Sequence, residues 1–127
     1  MKNIVTIGGS NSKNSINKVL AEYVGGLVKN VNLTKVDLNN YEMPLFSVDI
    51  EAEKGLSSGV LALNEVIEKA DGFIISLAEH NGAYSVAFKN ALIGYLELMV
   101  RFGATNQCCY WQLLLVHVEE NRCWILL

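Results

Sequence analysis

Several features that would point to a partner or a compartment are missing from this sequence of 127 residues. No stretch approaches the roughly 18 uncharged apolar residues of a membrane span, so no membrane is expected as partner. The start, Met1 to Val5, goes straight into an apolar run without the three regions of a signal peptide. A cytoplasmic protein is the expectation. There is no basic cluster and the formal net charge is -3, which argues against nucleic acid as partner. The three cysteines show no C-x-x-C spacing, and an odd number closes no disulfide framework. Chemistry, if any, has to come from a bound cofactor or from non-cysteine side chains.

Other absences are confined to one part of the chain. Residues 1–91 hold all eight lysines and no Arg, Cys or Trp. Residues 92–127 hold both arginines (Arg101, Arg122), all three cysteines (Cys108, Cys109, Cys123) and both tryptophans (Trp111, Trp124), with no Lys, Asp, Ser or Pro. An apolar C-terminal helix would explain some of this. It would not explain why every one of these biases switches at the same place.

What is present before the switch reads as alternating elements. Ile4 to Ile7 is a short β-rich run stopped by Gly8 and Gly9. Asn14 or Ser15 can cap a helix whose apolar positions Ile16, Val19, Leu20, Tyr23, Val24 and Leu27 recur at helical spacing. Val31 to Val36 alternates as a second strand, followed by a polar, acidic connection that carries the single proline, Pro44. Leu56 to Lys69 repeats apolar residues as a helix, and Phe73 to Leu77 is an unbroken apolar strand of the kind buried in a parallel sheet. A further helix is predicted from about Ala83. This β-α-β-α-β-α order implies right-handed crossovers and an α/β, doubly wound parallel sheet. Ligands bind such sheets at the C-terminal strand ends, where the strand order reverses.

Two loops leave strand ends near that point. The first, Gly8 to Asn17, lacks G-x-G-x-x-G and any G-K-[ST], but is dense in hydroxyl and amide donors and leads into a helix N-terminus. Ser10, Ser12, Ser15 and Asn17 could donate to a phosphate there, aided by the helix dipole. A plain capped turn is the simpler alternative. The second loop, Ser76 to Tyr84, carries Glu79, His80, Asn81 and Gly82. Gly82 would let backbone approach a flat ligand. Glu79 and His80 invite an acid/base reading, but no nucleophile or third member is visible. No partner for His80 sits at metal-ligand spacing.

Together the loops resemble the NADPH-dependent FMN reductase family. Gly9, Ser10, Ser15 and Asn17 match its phosphate loop G-S-x-R-x-x-S-x-N. Ala70, Asp71, Glu79, Asn81, Gly82, Lys89 and Asn90 match its A-D…P-E-Y-N-G-S…K-N segment, and Asp37-Leu38 and Met43 to Phe46 fall where it has D-L…L-P-L-Y. The resemblance covers roughly residues 3–91. Departures are Ser12 for the usual arginine, Ala78 for the proline and His80 for the tyrosine. The resemblance implies a flavodoxin-like fold, with Ser10, Ser12, Ser15, Ile16 and Asn17 holding an FMN phosphate. It also implies that Ala78, Glu79, His80, Asn81 and Gly82 line the isoalloxazine ring. NADPH or NADH would be the electron donor and a small molecule the acceptor, with no catalytic side chain needed. A non-catalytic nucleotide- or phosphate-binding module of the same fold is the alternative. Family members commonly form homo-oligomers, and the helix that would pack there falls at the break.

A five-stranded sheet of order 2-1-3-4-5 does not fit into 127 residues at about 30 or more per βαβ unit. The family continues with L-D-W and then approximately K-P-x-L-L-L-A-T-S-P-G-x-R-G-G, none of it visible after Leu92. Back-translated and read one base earlier, Cys109, Tyr110 and Trp111 are each forced to Leu, Gln112 to Ala, Trp124 to Leu and Ile125 to Asp. These forced residues spell L-L-L-A and L-D. Residues 1–92 are therefore read as the N-terminal part of the domain, and 93–127 as the product of a one-base deletion near codon 92. Order 2-1-3 should remain with strands 4 and 5 lost or replaced, strand 3 should keep an unpaired outer edge, and activity should be impaired. Only an accidental strand is expected in the tail, from Gln112 to Val118.

Overall fold

The computed structural model describes residues 1–101, 115–118 and 123–126. Strand β1 (Lys2–Gly9) lies between β2 (Val31–Asp37) and β3 (Gly72–His80), parallel to both, so the expected order 2-1-3 is present. Helix α1 (Ile16–Leu27) makes the first crossover. Helices α2 (Val48–Lys54) and α3 (Ser58–Glu68) occupy the second, and α4 (Val86–Arg101) follows a two-residue strand, β4 (Ala83–Tyr84).

Alternation along β1 sorts the two faces. Val5 and Ile7 point into the main core, where they meet Val36 and Leu38 from the second unit, Leu63 of α3, Ile75 and Leu77 of β3, and Ala91 of α4. Thr6 and Gly8 point the other way, under α1. That second layer is thin, since a Cβ on Gly25 would come within 2.6 Å of the Thr6 Cγ2, and one on Gly8 within 2.6 Å of the Lys18 Cα.

This close approach decides which residues of α1 are buried. Its buried residues are Asn17, Ala21 and Gly25, while Ile16, Val19, Tyr23 and Leu27 are 63–70% exposed. Only small or hydrogen-bonded side chains fit between the helix and a sheet face at this distance. The Lys18 and Glu22 flank is tied to β2 through Asp37 and Lys35. At about 100° per residue, the apolar stripe falls on the opposite flank, towards β3.

Several boundaries differ from the sequence reading, beginning with β1, which continues through Gly8 and Gly9 where a stop was expected. The acidic connection contains α2, whose first turn carries Asp49 and Glu51, whose last turn carries Lys54, and which stops at Gly55 with φ +75°. β3 continues to His80, and α4 begins at Val86 because Ser85 caps it. α4 also runs unbroken through position 92 to Arg101, whose guanidinium pairs with Glu51 at 2.9 Å.

The outer edge of β3 is paired, contrary to expectation. Strands β5 (Leu115–Val118) and β6 (Cys123–Leu126) form an antiparallel pair, and β6 lies antiparallel to Ile75–Ala78. The sheet order is β2-β1-β3-β6-β5, a mixed sheet in which only the first three strands are parallel. An apolar strand with a bare row of N–H and C=O groups is a template for any β-prone segment within reach, and Cys-Trp-Ile-Leu is such a segment. The strand expected in the tail corresponds to β5, while Gln112 to Leu114 lie outside the described residues.

Candidate functional site

Pairing β1 with β3 brings the two loops side by side at one end of the sheet, since Gly9 is in register with Leu77. The first loop is internally braced. Ser10 N–H donates to the Gly8 carbonyl at 2.8 Å, and Ser10 Oγ accepts from Ser12 N at 3.1 Å. Ser15 N donates to the Ser12 carbonyl at 3.2 Å, and Ser15 Oγ caps α1 by accepting from Lys18 N at 3.2 Å. Ser10 and Ser15 are both buried, and each hydroxyl keeps its own proton to donate. Among the described residues, the N–H groups of Asn11, Lys13, Asn14 and Ile16 have no protein acceptor. A braced turn with several open N–H groups at the positive end of a 12-residue helix fits an anion such as a phosphate.

The predicted residues of this loop play unequal parts. Ser10 and Ser15 shape it, and Ser12 contributes backbone from an exposed position. Ile16 begins α1 with an exposed side chain. Asn17 turns inward, where its Oδ1 accepts from the buried Ser76 hydroxyl at 2.8 Å and links α1 to β3.

The second loop is a β-hairpin. Glu79 pairs with Tyr84 and His80 with Ala83, leaving Asn81 and Gly82 as a two-residue turn with φ +54° and +79°. Two consecutive positive φ values are those of a type I′ turn, for which Asn-Gly is the favoured sequence. Gly82 is thus required by the turn itself, besides any ligand. Ala78 is buried at the sheet end, Glu79 is half-buried, and His80, Asn81 and Gly82 project outward. The Tyr84 ring meets Phe88 edge-on at 5.8 Å and carries the Lys89 ammonium 5.8 Å from its centroid.

Side chains without an assigned role in the sequence reading brace the first loop or the segments around it. Ser85, almost fully buried, donates from Oγ to the Gly9 carbonyl at 2.8 Å and accepts from Phe88 N at 3.2 Å. Asn90 accepts from Phe46 N at 2.8 Å and donates to the carbonyls of Pro44 and Met43 at 2.9 and 3.3 Å. Lys18 Nζ lies 2.7 Å from Asp37 Oδ2. The Lys18 hydrogen bond, helped by donors of Asn39, holds the Asp37 carboxyl below the usual carboxylate range, against the desolvation that opposes it. Asp71 is structural too, because it accepts from Asn3 N at 2.7 Å and Lys2 at 3.0 Å beside the start of β1. A Ser directly before an apolar helical run is a legible cap signal for Ser85. Nothing local in the sequence announces its bond to Gly9.

A shallow cleft lies elsewhere, between the Met43–Ser47 segment, α2 and α4, and shares no residue with either loop. Among the described residues no group of three His, Cys, Asp or Glu side chains is placed to hold a metal ion. Among them, too, no helix is long and apolar enough to cross a membrane.

Comparison with known proteins gives the family and the fold. The family model described as NADPH-dependent FMN reductase matches residues 2–93. Quinone reductases of Escherichia coli (strain K12) and Shigella flexneri are each 30% identical over 89 residues, covering 70% of this chain and 47% of theirs. Among solved structures, the flavoenzyme FerB, an NAD(P)H:(acceptor) oxidoreductase from Paracoccus denitrificans, superposes with a TM-score of 0.60 at 24% identity, over 74% of this chain and 50% of its own. It is a match of fold. The chain spans about half the length of the curated relatives it matches.

Proposed function

Because the chain belongs to the NADPH-dependent FMN reductase family, we propose that residues 1–92 carry the FMN-binding half of an NAD(P)H oxidoreductase that reduces a small-molecule acceptor. The observation that carries this reading is the braced loop Ser10–Asn17, with buried hydroxyls and open N–H groups at the head of α1. Bound FMN would supply hydride acceptance from NAD(P)H and onward electron transfer. The chain's own residues bind and orient. Ser10, Ser12, Ser15 and the N–H groups through Ile16 hold the phosphate, and Asn17 keeps α1 in register with β3. Residues 78–82 line the ring, the hairpin turn setting the height of that wall.

The same reading includes the break. Residues 93–127 derive from a shifted frame, in support of which the family match ends at residue 93, where the composition changes. The part of the domain that the family sequence continues with after Leu92 is then replaced, so turnover is impaired while phosphate recognition remains. Titration of FMN and riboflavin into the protein, followed by flavin fluorescence, tests the site. Weak binding that prefers FMN is expected. Equal affinity for both flavins, or none for either, would remove the phosphate loop from the reading. An NADH and NADPH oxidation assay with FMN bound separates an enzyme from a module that binds without turnover.

A further inference from the structure

The two loops are joined by a series of hydrogen bonds from the cap of α4 to the cap of α1, passing through the Gly9–Ser10 peptide and the residues Ser10, Ser12 and Ser15. The Ser85 hydroxyl accepts Phe88 N at 3.2 Å and donates to the Gly9 carbonyl at 2.8 Å. That carbonyl and the Ser10 N–H belong to one planar peptide unit, so fixing one fixes the other. Ser10 N–H is on the Gly8 carbonyl, Ser10 Oγ takes Ser12 N, the Ser12 carbonyl takes Ser15 N, and Ser15 Oγ takes Lys18 N. The open N–H groups of the loop sit between these anchored points. Ser85 is 4% exposed, and its hydroxyl reaches the loop by its hydrogen bond to the Gly9 carbonyl.

We propose that Ser85 is a positioning residue for the phosphate loop, the side chain through which the hairpin-bearing end of α4 sets the orientation of the Gly9–Ser10 peptide and so the aim of the donors from Asn11 to Ile16. The site so positioned is the FMN site proposed above, and the inference rests on that reading for its ligand alone. Asn90 supplies the contrast. It sits on the same helix and makes three hydrogen bonds, yet it clamps the Met43–Phe46 segment, away from the phosphate loop. Losing Asn90 therefore costs stability without re-aiming the loop.

The experiment has two arms. In the first, FMN and riboflavin are titrated into the wild type, Ser85→Ala, Ser85→Thr and Asn90→Ala. Ser85→Ala is expected to weaken FMN roughly fivefold to tenfold, the scale of one buried hydrogen bond, and riboflavin less than twofold. Ser85→Thr, which keeps the hydroxyl, restores FMN binding, and Asn90→Ala weakens both flavins equally or neither. In the second arm, amide exchange is followed in the ligand-free protein. Ser85→Ala should speed exchange at Ser12 and Ser15 and leave Phe46 unchanged, and Asn90→Ala should do the reverse. Equal weakening of both flavins by Ser85→Ala, or exchange at Ser12 and Ser15 that Ser85→Ala leaves unaltered, overturns the proposal. A wild type that binds neither flavin while the exchange pattern holds overturns the FMN assignment and supports the positioning role.

Discussion

At the scale of single residues, the serines of the first loop combine two functions that substitution can separate. Ser15→Ala removes a helix cap, costing about 1 kcal/mol of stability. If the hydroxyl also donates to a phosphate, the same change costs about 1.5–3 kcal/mol of FMN affinity, and riboflavin, without the phosphate, should lose far less. Calorimetric titration of both flavins against this variant gives the comparison; equal losses would mean that the loop holds some other group. The Lys18–Asp37 pair makes a separate expectation about pH. The folded Asp37 carboxyl titrates below its unfolded value, so its contribution to stability is complete above about pH 4 and is lost as pH falls through the lowered value. Lys18 is raised by the same contact, so its contribution is present below the unfolded lysine pKa and lost only as pH rises through the raised one. Unfolding curves between pH 5 and 2 should therefore be flatter for Asp37→Asn than for the wild type, and curves that stay parallel would show that the pair contributes nothing.

Elements were legible where one signal dominated. The apolar run at Phe73–Leu77 and the capped helix after Ser15 are visible from composition and spacing, and both form. Periodicity locates α1 but not its packed face, because apolar spacing says where a stripe lies and not what it packs on. Here the sheet beneath the helix presents Thr6 and Gly8, and only Asn17, Ala21 and Gly25 fit against it. The Asn81-Gly82 pair is among the strongest short hairpin signals available, yet inside a motif read for ligand contact it passed as an irregular loop. Helix α2 was hidden by its brevity, although Ser47, the first-turn acids and Gly55 all mark it. The hairpin gives a direct test. A Cβ at Gly82 would meet nothing within 4 Å, so Gly82→Ala costs only the strain of φ +79°, about 1–2 kcal/mol. Denaturant unfolding should show that loss, and Asn81-Gly82 replaced by Gly-Gly should not. A neutral Gly82→Ala would mean that the hairpin does not form in solution.

For the whole molecule, the decisive feature is the asymmetry of its two layers. One sheet face is covered by α3 and α4 around a large-residue core, while the other carries α1 among the described residues, with Ile16, Val19, Tyr23 and Leu27 turned outward along one flank. Handedness explains why nothing earlier in the chain covers that flank. The crossover from β1 to β2 puts α1 on one face, and crossovers in the opposite direction put later helices on the other. An element reaching α1 must then come from beyond the parallel strands. Contiguous exposed apolar surface of this kind promotes self-association. The 127-residue protein is accordingly expected to bind a hydrophobic dye and to associate with rising concentration, and Val19→Lys with Tyr23→Lys should suppress both in light scattering. One base inserted at codon 92, with reading continued to the next in-frame stop, should do more. If the forced Leu, Ala and Asp codons are the original frame, the product should regain the missing half, purify yellow and oxidise NAD(P)H. An insertion product no more soluble and no more flavin-bound than its parent would overturn the frameshift, and residues 93–127 would then have to be explained as a tail selected in the frame in which they stand.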